Sequence, residues 1–309
     1  MSKTVLVIGG TRFVGKLLVQ RLVRAGHCVT IATRGYAPDP FGSRIERIRV
    51  DRRNELAMRK AFAGRAPFDL VFDQMCYNPL DAAIAVRTFA GKVGRYVMSS
   101  TIDAYRVLGF GRGGPLAEDD LAVEAQAIDS AYPWHDPRRA TECYVAGKLQ
   151  AEAYLVREGS LPLATVRLAH VLGGPEDFTG RLAHYVDLAR RGATLDYTDA
   201  GAQLSFIDPH AAADVLYWAG MERFTGAVNA ASDGALSALD LYRRVADVLE
   251  TPARVRHAAG DAAPGTLSPF DLPGRMVLDT SRAKALGYRF GQCDDWIDHA
   301  IRQHDLAFV

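Results

Sequence analysis

The stretch 4–15, Thr-Val-Leu-Val-Ile-Gly-Gly-Thr-Arg-Phe-Val-Gly, limits the possible folds more than any other part of the chain. Val5, Leu6, Val7 and Ile8 form an apolar, mostly β-branched run without alternation, which suits a strand covered on both faces of a parallel sheet. Two glycines end it. Gly9 and Gly10 lack the Cβ atoms that would obstruct a tight turn, and Phe13, Val14, Leu17, Leu18, Leu22 and Val23 then recur at helical spacing up to Gly26. Strand, glycine turn and helix in one short unit place unpaired backbone N–H groups and a helix-dipole N-terminus where a pyrophosphate can sit.

The Gly9, Gly10, Gly15 spacing resembles the phosphate loop of the extended short-chain dehydrogenase/reductases, the NAD(P)-dependent epimerase/dehydratase superfamily. Arg12 stands where that family keeps its middle glycine, so the likeness is to an atypical branch. The resemblance implies that Gly9, Gly10, Thr11, Arg12, Phe13, Val14 and Gly15 wrap the phosphates of a dinucleotide.

Further strands at 28–32, 47–50, 70–73 and 95–98, separated by helical segments, predict an α/β fold: a doubly wound parallel (Rossmann) sheet with right-handed crossovers. A sixth strand at 164–168 completes a dinucleotide-binding domain over 1–170. Residues 171–309 form a smaller C-terminal α/β substrate lobe, from which a segment near 203–231 returns to the first domain. In that lobe, helices are expected at 182–190, 211–218 and 237–249, the last with Ser237 and Asp240 at capping-box spacing.

Composition narrows the function. The 309 residues are 49% hydrophobic and 24% charged, as for a soluble globular protein, and a net charge of +1 gives no general attraction to nucleic acid or membrane. Only Met-Ser-Lys precedes the first apolar run, too little for a signal segment or membrane span, so a cytoplasmic protein is expected. Cys28, Cys76, Cys143 and Cys293 are far apart and read as reduced core thiols; the eight histidines show no ligand spacing, so no metal is expected.

The end of the second strand selects the cofactor. A carboxylate there binds both ribose hydroxyls of NAD and repels a 2′-phosphate, whereas a cation does the reverse. Here stand Thr33 and Arg34, with Arg12 in the facing turn. NADP(H) is therefore favoured, with NAD(H) as the alternative, and a solvated Arg34 as the plainer reading. Asp51 and Arg52 follow the third strand, where the resemblance puts an adenine contact. Arg44, Arg47, Arg49, Arg52, Arg53, Arg59 and Lys60 crowd this region. Some atypical relatives are plastid RNA-binding proteins, but the absence of interleaved aromatics and the presence of Glu46, Asp51 and Glu55 favour a solvated face. Gln74, Met75, Cys76 and Tyr77 occupy positions that the family keeps small, which makes Met75 a candidate substrate contact.

Ser99, Ser100 and Thr101 end the fifth strand on the sheet edge where ligands of such folds bind. This run resembles the family's catalytic-serine segment, which implies that Ser99 meets the cofactor and Thr101 polarises the substrate carbonyl; ordinary strand-end capping is the alternative. Tyr144-Val-Ala-Gly-Lys148 places phenol and ammonium one helical turn apart. A protonated Lys148 near Tyr144 should lower the phenol's pKa from about 10 towards working pH. The resemblance makes Tyr144 the general acid/base and Lys148 a nicotinamide-ribose ligand. It also makes His170 a candidate for the cofactor amide or substrate, or else a structural histidine, and Arg275 a candidate for a sugar-nucleotide phosphate. The long 106–136 connection, weakly helical near 121–128, is either a lid presenting Tyr132, Trp134 and His135 to substrate or a loop anchored by them.

These residues point to an NAD(P)-dependent oxidoreductase or epimerase moving a hydride between nicotinamide and a hydroxyl- or keto-bearing carbon of a sugar- or sugar-nucleotide-like substrate. The alternatives are an NADP(H)-dependent reductase of a non-sugar ketone, or a non-catalytic dinucleotide-sensing or RNA-binding protein. Family analogy implies a homodimer.

Overall fold

The computed structural model describes residues 1–260, 262 and 264–306. Strand β1 (Thr4–Ile8) shows why the apolar run does not alternate. Successive side chains leave opposite faces of the sheet, and both faces are covered. Val5 and Val7 enter a core with Leu18, Val19 and Leu22 of helix α1 (Phe13–Arg24), while Leu6 and Ile8 enter a second core on the far side. Each of the four is buried to within 1%, which stabilises the fold by about 1.5–3 kcal/mol per side chain.

The chain continues through β2 (Cys28–Thr33), β3 (Glu46–Arg49), α2 (Glu55–Phe62), β4 (Leu70–Asp73), α3 (Pro79–Phe89), β5 (Tyr96–Thr101), α4 (Ala140–Glu158) and β6 (Leu163–Leu168). Asn54 caps α2, its side chain accepting from Ala57 N at 3.0 Å. There follow β7 (His170–Val171), α5 (Arg181–Arg190), β8 (Leu195–Tyr197), β9 (Leu204–Ile207), α6 (Pro209–Met221) and β10 (Gly226–Ala230). The last elements are β11 (Ala235–Leu236), α7 (Ala238–Val248), β12 (Val255–His257), α8 (Ser281–Ala285) and α9 (Ile297–Leu306). Ser237 and Asp240 form the capping box that opens α7.

Seven parallel strands form one sheet in the order β10-β6-β5-β4-β1-β2-β3. Helices α1 and α6 cover one face; α2, α3 and α4 cover the other. Strand order reverses beside β1, between β4 and β2, and this opens a crevice above the carboxyl ends of the strands. Beyond β6 the chain builds two small sheets, β11-β9-β7 and β12-β8, against a packed trio of α5, α7 and α9. Strand β10 pairs in parallel with β6, from Gly226 opposite Ala164 to Ala230 opposite Leu168, so the chain rejoins the large sheet.

Three local expectations are corrected. Cys28 is exposed, whereas Cys76, Cys143 and Cys293 are buried thiols. The 121–128 segment holds a single 3₁₀ turn, Val123–Ala125, after another at Glu118–Asp120, because its carbonyls are drawn off by Arg157 rather than by a helical ladder. Of the basic cluster, Arg44, Arg47, Arg49, Arg53, Arg59 and Lys60 are exposed, but Arg52 is buried. Among the described residues, no helix is long and apolar enough to cross a membrane.

Candidate active site

The glycine loop forms the floor of the crevice. Gly9 and Gly10 hold φ of +104° and +94°, and a Cβ on Gly10 would lie 2.9 Å from Val19 Cγ2, so side chains are excluded by strain and by contact. Helix α1 then starts with no side-chain cap and no acid in its first turn, which leaves its N–H groups and dipole free for an anion. Phe13 holds φ of +46°, a strained value for an aromatic residue of the kind that clusters at ligand sites, and its ring meets Phe178 at 5.9 Å.

Above this floor lies a cavity of about 920 Å³. Its wall includes Gly9, Gly10, Thr11, Arg12, Phe13, Val14 and Gly15, then Thr33, Arg34, Asp51 and Arg52, then Met75, Ser99, Thr101, Tyr144, Lys148 and His170. Gln74 and Tyr77, from the bulky segment after β4, line it too, as do Asp103, Phe178 and Arg181, which sequence reasoning did not single out. A pyridine dinucleotide fits this wall: the loop is a cradle that a Cβ would fill, and Gln74 Nε2, Ser99 Oγ and His170 Nε2 are buried along it without partners.

Helix α4 meets the end of β5 three times, at steps of four residues. Tyr144 interacts with the Thr101 hydroxyl, Lys148 Nζ donates to Ser99 O at 2.7 Å, and Glu152 accepts from Ser100 Oγ. Glu152, 1% exposed, is paired with Arg167 on β6, whose Nη2 lies 2.9 Å from Glu152 Oε2. Arg167 Nη1 also donates to Tyr105 Oη at 2.8 Å, and Tyr105 Oη to Asn229 Oδ1 at 2.8 Å. A buried charge is tolerable when paired and hydrogen-bonded in this way, and the network fixes the strand end that carries Thr101. Its sequence signal was the 144, 148, 152 spacing on one helix.

Tyr144 departs from expectation. Desolvation of its hydroxyl raises the pKa, partly offset by the Thr101 hydrogen bond. Lys148 instead faces Ser99 O and the Tyr77 ring, with Nζ 4.5 Å from the ring centroid, and burial lowers its own pKa. The phenol is therefore protonated at neutral pH. Thr101 Oγ1 donates to Asp103 Oδ2 at 3.3 Å and accepts from Asp103 N at 3.2 Å, while Asp103 pairs with Arg106 at 2.7 Å. Burial lowers the His170 pKa to about 4, so the imidazole is neutral; its Nδ1 lies 3.4 Å from Arg181 Nη1.

Two site assignments are corrected. Although Arg52 lines the cavity, its guanidinium pairs with Asp73 and donates to Asp81 O at 2.6 Å. Burial opposes its charge, but the two acids outweigh burial and raise its pKa, so the charge serves the core rather than an adenine. Arg275 lines a different cavity of about 520 Å³, with Ser205, Asp233 and Lys284, because the segment that carries it pairs beside β9. Trp134 is buried and donates to Asp129 O at 2.8 Å, and neither it, Tyr132 nor His135 lines the main cavity: these aromatics anchor the loop. Arg12, Arg34 and Arg53 are exposed at the cavity rim, and Arg34 stacks over Tyr36 with 5.0 Å to the ring centroid.

Residues 5–77 match the family described as NAD dependent epimerase/dehydratase. The chain is 31% identical over 211 residues to 2′-dehydrokanamycin reductase of Streptomyces kanamyceticus, covering 67% of this chain and 52% of that protein. It is 33% identical over 218 residues to the chloroplast stem-loop binding protein of 41 kDa b of Arabidopsis thaliana, covering 66% and 51%. The chain thus spans about half the length of the curated relatives it matches. Its fold is that of UDP-glucose 4-epimerases: the Thermus thermophilus enzyme, solved with NAD, superposes with a TM-score of 0.70 at 20% identity over 97% of this chain and 98% of that one. The Thermotoga maritima enzyme, solved with UDP-glucose, gives 0.74 at 16% identity over 99% of each.

Proposed function

From a chain whose residues 5–77 belong to the NAD dependent epimerase/dehydratase family, we propose a reductase that uses a pyridine dinucleotide, NADP(H) in preference to NAD(H), on a keto or hydroxyl carbon of a sugar-like substrate. When bound, the nicotinamide would exchange a hydride with that carbon. Gly9 to Gly15 and the start of α1 hold the phosphates, and Lys148 holds the nicotinamide ribose. Thr101 donates a hydrogen bond to the substrate oxygen, and Tyr144 gives that oxygen its proton or takes it away. Arg12, Arg34 and Arg53 at the rim, with no acid at the end of β2, support the 2′-phosphate preference.

The observation that supports the reductive direction is the placing of Lys148 against Ser99 O and the Tyr77 ring, which leaves the Tyr144 hydroxyl beside Thr101 rather than facing that ammonium. A phenol so placed holds the proton that the alkoxide left by hydride addition takes up. The same end of the cavity favours a substrate without phosphate. Arg181 gives its nitrogens to Thr179, Val171 O and His170, Arg106 is paired with Asp103, and Arg275 faces the other cavity. The RNA-binding alternative is weakened by pairing within the basic region: Arg47 with Asp39, Arg65 with Glu46, and Arg59 and Arg87 with Glu55.

The test follows nicotinamide absorbance with keto-sugars and unphosphorylated ketones, in wild type and Tyr144→Phe. Net oxidation of NADPH that falls by a factor of about 10²–10⁴ in the variant supports the reading. Unchanged turnover in Tyr144→Phe removes Tyr144 from the chemistry, and isomerised product with no net cofactor change replaces the reductase by an epimerase.

A further inference from the structure

The bulky segment after β4 has no task in the chemistry described so far, yet one of its residues touches the lysine. Lys148 is 3% exposed, and its ammonium has three donors but, among the described residues, one hydrogen-bond acceptor, Ser99 O. An ammonium buried with so few acceptors would ordinarily be unfavourable. The face of Tyr77 supplies the missing compensation, with Nζ 4.5 Å from the ring centroid, within cation–π range.

Tyr77 is itself held from behind. Its N–H donates to Asp81 Oδ2 at 2.9 Å, and Asp81 Oδ1 is 3.2 Å from Arg52 Nη1, so the buried Arg52 anchors the turn that presents the ring. Helix α4 closes on the same turn: a Cβ on Gly147 would lie 2.4 Å from Tyr77 O. The phenolic hydroxyl, by contrast, makes a weak contact with Met75 Sδ, at 3.9 Å. The ring face, not the hydroxyl, is the part that acts on Lys148.

We propose that Tyr77 is a positioning residue for Lys148: its ring, fixed through Asp81 and Arg52, keeps the ammonium in place at the cavity wall to bind the nicotinamide ribose. This rests on the dinucleotide reading above. It assigns a purpose to the bulk after β4 and to the inward turn of Arg52.

The test measures dissociation constants for NADPH, and for adenosine 2′,5′-bisphosphate as a probe of the adenosine half alone. Tyr77→Leu should weaken NADPH about tenfold, while Tyr77→Phe, which keeps the ring, stays within about twofold of wild type. In a Lys148→Met background, Tyr77→Leu should change nothing further, and the adenosine probe should bind all variants equally. Should Tyr77→Leu fail to fold, Tyr77→Met, which fills more of the space without a π face, carries the same expectations. Undiminished NADPH binding in Tyr77→Leu overturns the proposal, as does a loss that persists without Lys148. An equal loss for the adenosine probe also overturns it, since that would report local collapse. If wild type binds neither probe, the dinucleotide reading itself falls and takes this proposal with it.

Discussion

Gly147→Ala sets two effects of opposite sign against each other inside one helix. In an α-helix interior, alanine is favoured over glycine by about 1 kcal/mol, so propensity alone makes the variant more stable. Packing argues the reverse. The new Cβ would lie 2.4 Å from Tyr77 O, 3.3 Å from Asn78 Cβ and 3.4 Å from Trp134 Cε3. The carbonyl is held on both sides, because Tyr77 N donates to buried Asp81 and Asn78, which follows it, caps α3 by accepting from Asp81 N at 3.0 Å. Relief therefore needs α4 to move by roughly 1 Å, and overpacking of this kind costs about 1–3 kcal/mol, more against backbone than against a side chain. With the cost at the upper end of that range, as a backbone clash demands, the clash should win by up to about 2 kcal/mol, which for 309 residues lowers Tm by up to about 3 °C. The same displacement stretches the 2.7 Å contact from Lys148 to Ser99 O and misplaces Tyr144, where about 1 Å can cost 10²-fold in rate. Scanning calorimetry and NADPH titration read the two consequences. A raised Tm with unaltered NADPH affinity would refute the claim that α4 is seated against this carbonyl.

Other substitutions separate structural from ligand roles. Arg52→Met leaves Asp73 and Asp81 buried without their cation and should destabilise by about 3–5 kcal/mol, a Tm fall of about 5–8 °C; a thermally neutral variant would return Arg52 to the cofactor. Arg34→Asp should raise the NADPH dissociation constant about tenfold or more and leave NADH within about twofold, and an equal effect on both would remove Arg34 from the 2′-phosphate. The neutral His170 gives a pH signature. Its folded pKa of about 4 lies below the unfolded 6.5, so its contribution is present above pH 6.5 and is lost as pH falls towards 4, by about 3 kcal/mol. Replacing His170 by Asn should flatten the stability profile between those pH values; a profile as steep as wild type would place the titrating group elsewhere.

The parts of this chain that could be read in advance are those governed by local rules. The glycine loop and β1 follow from steric and periodic constraints within a few residues, and the spacing of Tyr144 and Lys148 announced which face of α4 lines the cavity. Arg52 was illegible for a physical reason. It stands among seven basic residues of similar local pattern, and what singles it out is pairing with Asp73 and Asp81, 21 and 29 positions away. Arg275 failed similarly, since its cavity is set by a bridge between Leu204 and Met276 that no local pattern announces. The phenol's pKa went the other way because spacing on a helix fixes which side chains share a face, not which acceptor an ammonium selects. Ser99 O lay nearer to hand.

That choice of acceptor links the buried network to the chemistry. Lys148 is tied to β5 by a backbone carbonyl and to the turn after β4 by a ring face, while Glu152 and Arg167 tie the neighbouring Ser100 to β6. The lysine is thus held by two adjacent strands of the parallel sheet rather than by Tyr144. On the reading proposed above, a phenol not facing that ammonium would keep its proton until an oxygen bearing negative charge came within reach of Thr101 and Tyr144 together. In the reaction proposed above, preorganisation would mean that the donors are rigid and protonated beforehand, so that little reorganisation is left for the moment when charge develops. The rigidity comes from the large sheet, and Asp103, His170 and Arg181, which line the cavity, sit at its border with the smaller elements. The two can therefore vary independently, which is why a fold shared with epimerases does not by itself fix a substrate.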